Sequence, residues 1–486
     1  MSLSDPHTAR SHSLAWGLAL GALMGFGTLI IGDAATRWMM FSLVLVIVFV
    51  VWTLIRDRRA ALGATFILTL QAEMAIRFMY GRDRTGGFEL FLSSFAAAAV
   101  YLWMRASGDT IEPFGTLRRP ILLLFATTCA SALLSHDHFV SSARVLVELQ
   151  LLLTYIVALN FVRDERTVRR VVALLTLALV IQSVVYVIQS QLGINFNLTG
   201  DVVSAGEVPR PGGTVSANPA GFASFIIPIL LINVAALGLP RSERRWYVPG
   251  VVLLGLIAVV LTFTRAAWAG LAIALVFLGW FGRKSMQLKS GRLGAVIGAG
   301  AIAIVVAWPL MASRLEQSSV SDAYKERSGL NRIAIEVIKH NPILGVGPGA
   351  YAARFKEYIP PGLGQQWLFT VHNEFLLRAA ETGLVGGFAF VWLMVAALKQ
   401  AMALARRYGR TPMGAVAAGW AAGLVYIAWQ MYWVPWRGFT YTALFWFMLG
   451  LTEAMARLAA HEQSPAGLVA DPVGATPASI RMGEVA

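Results

Sequence analysis

Long apolar stretches separated by short polar breaks, many of them carrying paired arginines, set the pattern of this chain. Runs long enough to cross a bilayer fall at 14–31, 38–55, 61–80, 86–104, 120–135, 142–162, 168–191 and 217–238. Six more follow at 246–264, 266–282, 293–311, 373–398, 413–433 and 438–457. A spanning helix takes about 20 predominantly apolar residues, so each run predicts one crossing. The pattern predicts an all-α polytopic integral membrane protein of about 12–14 transmembrane helices, 14 by direct count and 12 if short neighbours merge. Residues 246–282 are too long for a single crossing at about 1.5 Å per residue, and Arg265 interrupts them, so they predict a tight helical hairpin.

Composition agrees with the pattern. Of 486 residues 57% are hydrophobic and 14% charged, against about 25% charged in soluble globular domains. That excludes a soluble enzyme or binding module. Forty Lys and Arg against 26 Asp and Glu leave a net charge of +14, and the distribution of this excess is informative. Arg56 to Arg59, Arg118-Arg119, Arg163 to Arg170, Arg241 to Arg245, Arg283-Lys284 and Arg406-Arg407 occupy alternate loops. Basic residues in short loops are retained on the cytoplasmic side, so these loops and both termini are expected there. The excess is thus a topology signal, and no nucleic-acid partner is implied. Cys129 stands alone inside an apolar run, which excludes an intramolecular disulfide and reads as a small packed residue. The first apolar run follows a short polar stretch, as a secretory signal would, but no small-residue cleavage site follows and it is read as a span. The expected organisation is a transmembrane bundle over 1–311, a long outer loop over 312–372, C-terminal membrane helices over 373–458 and a disordered cytoplasmic tail over 459–486.

The long outer loop, Ser313 to Val371, has internal order. Leu330, Ile333, Ala334, Val337 and Ile338 share one helical face, Arg332, Glu336 and Lys339 lie on others, and Asn341-Pro342 stops the helix. An amphipathic helix lying on the outer membrane interface is expected. Gly345-Val-Gly347-Pro-Gly349 then predicts a tight turn. It follows a helix instead of joining a strand to one, which argues against nucleotide binding.

Four histidines fall on the outer side: His136, His138, His340 and His372. His136-Asp-His138 lacks a third ligand nearby, and no Asp-x-Asp triplet occurs, so neither a metal site nor a metal-bound sugar nucleotide is expected. His372 stands where the long loop enters a span, followed by a helix-capping Asn373. A helix N-terminus disfavours a charged imidazole, so a neutral ring able to accept a proton is expected; the plainer reading is an interfacial histidine bonded to a loop carbonyl. Arg265, in Thr262-Phe-Thr-Arg-Ala-Ala-Trp268, and Arg210, ahead of the Asn218-Pro219 helix start, both sit near helix N-termini on that side. Guanidinium groups beside free backbone N–H groups suit phosphate, although either alone could anchor lipid headgroups. Glu73 and Arg77, and Arg144 and Glu148, are spaced to neutralise each other along one helix. Arg378 and Glu381 could brace the span behind His372.

Together these landmarks resemble the superfamily of O-antigen ligases, O-antigen polymerases and protein O-oligosaccharyltransferases. The resemblance runs from about Arg210 to Gly386. It is carried by the arginine turn, by Asn331-Arg and Asn341-Pro-Ile-Leu-Gly-Val-Gly347, and by His372-Asn-Glu-Phe-Leu-Leu-Arg-Ala-Ala-Glu-Thr-Gly383. It implies a fold similar to the C-type glycosyltransferase membrane fold, in a bacterial inner membrane, with the site facing the periplasm. The ligase branch implies transfer of O-antigen from undecaprenyl pyrophosphate to lipid A-core, with His372 as general base, Arg210 and Arg265 on the donor pyrophosphate, and neither metal nor cofactor. The polymerase and oligosaccharyltransferase branches share the layout. A reading from another class is a transporter or flippase for lipid-linked glycan, which is expected to show paired interrupted helices near the midplane.

Overall fold

A computed structural model of the chain describes residues 48, 51–52, 55–78, 88–192, 204–205, 208–209, 211–216, 218–285, 320–363 and 370–462. The expected spans 14–31 and 293–311, most of 38–55, the tail beyond 462 and Arg210 lie outside the described residues.

In chain order the elements are α1 (Arg58–Thr69), the antiparallel strands β1 (Ala75–Phe78) and β2 (Phe88–Phe91), α2 (Leu92–Ala106), α3 (Arg118–Leu134), α4 (His138–Phe161) and α5 (Glu165–Leu192). A second small hairpin, β3 (Ser204–Ala205) and β4 (Val208–Pro209), precedes α6 (Pro219–Ala236), α7 (Val248–Leu261) and α8 (Arg265–Ser285). Then come α9 (Val320–His340), the short α10 (Tyr351–Arg354) with a 3-10 turn (Phe355–Tyr358), α11 (Glu374–Tyr408), α12 (Pro412–Trp433) and α13 (Phe439–Glu462). Among the described residues seven helices are long and apolar enough to cross a membrane: α4, α5, α6, α8, α11, α12 and α13. The chain is a polytopic, mostly helical membrane protein.

The centre of the bundle follows from composition. α6 is apolar all round, and Phe222 to Ala235 is buried on every face, as a helix without a polar stripe requires. α12 packs on α6, α11 and α8, and its glycines permit close approach: a Cβ at Gly419 would lie 2.3 Å from the Ile232 Cα. The helix starts obey their local signals. Asn218 accepts from Gly221 N at 2.8 Å with Pro219 in the first turn, and Thr411 accepts from Gly414 N at 3.2 Å. The hairpin expected over 246–282 is α7 and α8, joined through Thr262 to Thr264, with Phe263 at a φ of 49°.

The structure corrects several expectations. The run 61–80 is not one span. α1 has 12 residues, roughly 18 Å, and stops where Gln71 turns inward; the Gln182 amide donates to Gln71 Oε1 at 2.9 Å, and Thr214 Oγ1 donates to the Gln71 carbonyl at 3.0 Å. Aromatic and β-branched residues beyond it pair as β1 and β2 instead, so the fold is not strictly all-α. Arg77 faces Glu89 across that ladder and shares no helix with Glu73, whose carboxylate accepts from Phe439 N at 3.3 Å. The amphipathic helix α9 does not reserve its apolar face for lipid. Leu330, Ile333, Ala334 and Val337 are buried, the last three against Val346, Tyr351, Phe355, Val371 and Leu377. Its stripe was real, and loop residues cover it.

Candidate functional site

The site is built around the head of α11. Asn373 Oδ1 accepts from Leu376 N at 3.1 Å, which caps the helix and fixes the direction of the residue before it. That residue, His372, is half-buried, and its Nδ1 lies 3.0 Å from the Thr370 carbonyl. A carbonyl only accepts, so Nδ1 is the donor, and in the neutral ring the lone pair is then on Nε2. The bond to a loop carbonyl, which alone would suit a structural histidine, also selects the tautomer a base needs.

α11 is broken nine residues in. Gly383, at φ 72° and ψ 178°, separates a short first segment from the long one behind it. The freed backbone groups are met by the loop from Pro342 to Gly347. Val346 N donates to the Ala380 carbonyl at 2.9 Å, Gly347 N to the Glu381 carbonyl at 3.0 Å, and Leu384 N to the Pro342 carbonyl at 2.8 Å. Ser131 Oγ of α3 adds a bond to the Glu381 carbonyl at 2.7 Å. The approach leaves no room for side chains: a Cβ at Gly383 would sit 1.9 Å from the Ile343 carbonyl oxygen, and one at Gly345 2.3 Å from the Glu381 backbone carbon. The glycine-rich turn is therefore a docking piece that holds the His372 segment in place of the missing helical bonds.

Beneath this segment lies a balanced group of charges, of which Arg378 and the carboxylates of Glu148, Glu374 and Glu381 are buried. Arg378 donates through NH1 to Glu148 at 2.7 Å and through Nε to Glu374 at 2.8 Å, with its guanidinium 5.4 Å from the Phe390 ring centre. Arg144 reaches Glu148 at 3.3 Å, Glu374 also accepts from Trp436 N at 2.8 Å, and Glu381 holds Arg437 at 2.5 Å. The expected Arg144–Glu148 pair exists, but the shorter bond to Glu148 comes from α11. Arg378 and Glu381 each tie the head of α11 to another element, Arg378 to Glu148 of α4 and Glu381 to Arg437 in the turn after α12. Burial by itself would lower the Arg437 pKa, yet Glu381 and Glu374 outweigh it and hold the group above its ordinary value. Arg437 and Glu374 were not legible as site residues. The usable signal was an arginine next to Trp436 in a short turn between two spans.

Arg265 is the first residue of α8 and is exposed. The next carbonyl, that of Ala266, accepts from Trp429 Nε1 at 2.9 Å, and Trp268 Nε1 closes the turn on the Val259 carbonyl at 3.0 Å. Trp429 belongs to the last turn but one of α12, and the segment after α12 is bonded to Glu374. The arginine turn and the His372 segment therefore stand at the same end of the bundle, linked through 429–437. Residues 250–391 match the family model described as O-Antigen ligase. Over those residues the chain is similar to the O-antigen ligase family. The O-antigen ligase region starts within α7 and ends within α11, so it takes in the arginine turn, the glycine loop and the head of α11. No curated protein matches the chain. Arg144 and Glu148 precede the family region and Arg437 follows it, yet they pack directly under it. Asp137, between His136 and His138, caps α4 through Val140 N at 3.2 Å.

Proposed function

We propose that this chain is a glycosyltransferase that moves an O-antigen glycan from undecaprenyl pyrophosphate to lipid A-core at the periplasmic face of a bacterial inner membrane. The observation that carries the reading is the Nδ1 bond of His372 to the Thr370 carbonyl, made at the head of a capped and externally anchored helix inside the O-antigen ligase region. A sugar hydroxyl is a weak nucleophile. His372 Nε2 takes its proton as the oxygen attacks the anomeric carbon, a contribution of roughly 10²- to 10⁴-fold. The bond from that carbon to the pyrophosphate breaks as the new one forms, the electron pair leaves with the phosphate, and the anomeric centre inverts. Arg265, with Arg210, stabilises the departing charge through charge-assisted hydrogen bonds.

The test is transfer by the purified chain from lipid-linked glycan to lipid A-core in vesicles without an energy source. His372→Ala should fold and still bind donor but lose transfer by at least about 10²-fold. Arg265→Ala should weaken the donor step, with Lys restoring only part of it because it lacks the planar fork. A fully active His372→Ala protein refutes the base. Elongation of the donor in the absence of lipid A-core assigns the polymerase branch, transfer to a protein acceptor assigns the oligosaccharyltransferase branch, and glycan crossing the membrane without a covalent product indicates a flippase.

A further inference from the structure

At the end of the bundle opposite His372 a cleft of about 100 Å³ opens where α5, α6, α7 and α12 meet. It lies beside Met413 in the first turn of α12, whose 22 residues put it roughly 33 Å from the turn that contacts Glu374. Val172, Ile232, Met413 and Val416 form apolar walls, and the floor is closed by Thr176 Oγ1 donating to Asn233 Oδ1 at 3.3 Å. The rim is different. Arg169 is occupied by Glu165 at 2.9 Å and Glu243 at 3.4 Å. Arg244 donates to the Leu237 carbonyl at 3.5 Å and Arg245 is exposed; neither has a carboxylate partner among the described residues. Trp246, beside them, is 89% exposed, as an aromatic side chain at headgroup level would be. Ala173 at the cleft and Leu177 one turn along α5 are exposed on a face that continues from the apolar walls.

We propose that this cleft binds one anionic glycerophospholipid of the leaflet at that end, with its phosphate on Arg244 and Arg245 and the upper part of an acyl chain along the apolar wall. Two cations at the mouth of an apolar slot, without carboxylate partners among the described residues, complement a ligand that is anionic at one end and hydrocarbon at the other. Free phosphate would use only the rim. A zwitterionic lipid would bring its own ammonium to two arginines and gain less. Each basic side chain near a lipid surface is worth roughly a fivefold gain in binding. The site is spatially separate from the glycosyl-transfer reading and stands or falls without it.

The experiment is native mass spectrometry of the full chain released from nanodiscs of phosphatidylethanolamine with a minor share of phosphatidylglycerol. The wild type should retain one phosphatidylglycerol in preference to phosphatidylethanolamine. The double variant Arg244→Ala/Arg245→Ala should lower that retention by about tenfold or more. Ala173→Trp, which fills the mouth from an exposed position and keeps every charge, should lower it as well, with circular dichroism matching the wild type in both variants. Equal retention of the two lipids, or retention unchanged in the arginine variant, overturns the site. Loss in the arginine variant with full retention in Ala173→Trp reduces it to surface charge and overturns the cleft. Displacement of the lipid by millimolar inorganic phosphate overturns the assignment of a lipid ligand.

Discussion

At His372 the decisive contact is the one its ring makes backward, to the Thr370 carbonyl, because that bond fixes which nitrogen can accept a proton. Arg378 shows the same dependence on surroundings. It is 7% exposed and sits between two carboxylates, Glu148 of α4 and Glu374 of its own helix. Breaking a buried ion pair from one side leaves a desolvated charge, so Glu148→Gln should destabilise the chain by about 3 kcal/mol. Glu148→Gln combined with Arg378→Met should cost less than the sum of the single changes, and thermal unfolding followed by tryptophan fluorescence would show whether it does. The residue types at these positions were visible in the sequence, as was the i,i+4 spacing of Arg144 and Glu148. The Arg378–Glu148 bond joins residues far apart along the chain, and spacing carries no information about it.

At the level of elements, the break in α11 is the feature on which the position of His372 turns. A helix that ends mid-way must find acceptors and donors for the groups it frees, and here Pro342 to Gly347 supplies them. Gly383→Ala places a methyl group where the Ile343 carbonyl oxygen already is and demands a positive φ from a residue with a Cβ. It should cost about 1–3 kcal/mol and reduce transfer strongly, with faster tryptic cleavage in the glycine loop. Leu384→Ala, at a side chain 55% exposed beside the break, should leave both nearly unchanged. Helix starts at Asn218 and Asn373 could be read from the sequence because a cap is a local bond between neighbours. The break at Gly383 and the end of α1 at Thr69 could not. Both are made by tertiary bonds, from the glycine loop in one case and from Gln182 and Thr214 in the other.

Over the whole molecule, one end of the bundle gathers the arginine turn, the His372 segment, the glycine loop and the charges beneath them, and the other end presents arginines around an apolar cleft. Among the described residues no group of three His, Cys, Asp or Glu is arranged to hold a metal ion. The metal-free mechanism proposed for His372 and the arginines predicts transfer unchanged in excess EDTA, with a chelator-sensitive rate in a well-folded preparation as the opposing result. The sequence by itself determined that the chain is a polytopic membrane protein, where α4 to α8 and α11 to α13 run, and which motifs resemble those of O-antigen ligases, since hydrophobic length, caps and motif spacing are properties of contiguous residues. Only the tertiary structure decided what covers the apolar face of α9, where α1 and the first part of α11 stop, and that Arg378 meets Glu148 and Arg437 meets Glu381. A stripe or a charge specifies that it must be matched, and the match is chosen by whichever distant segment the packing brings against it.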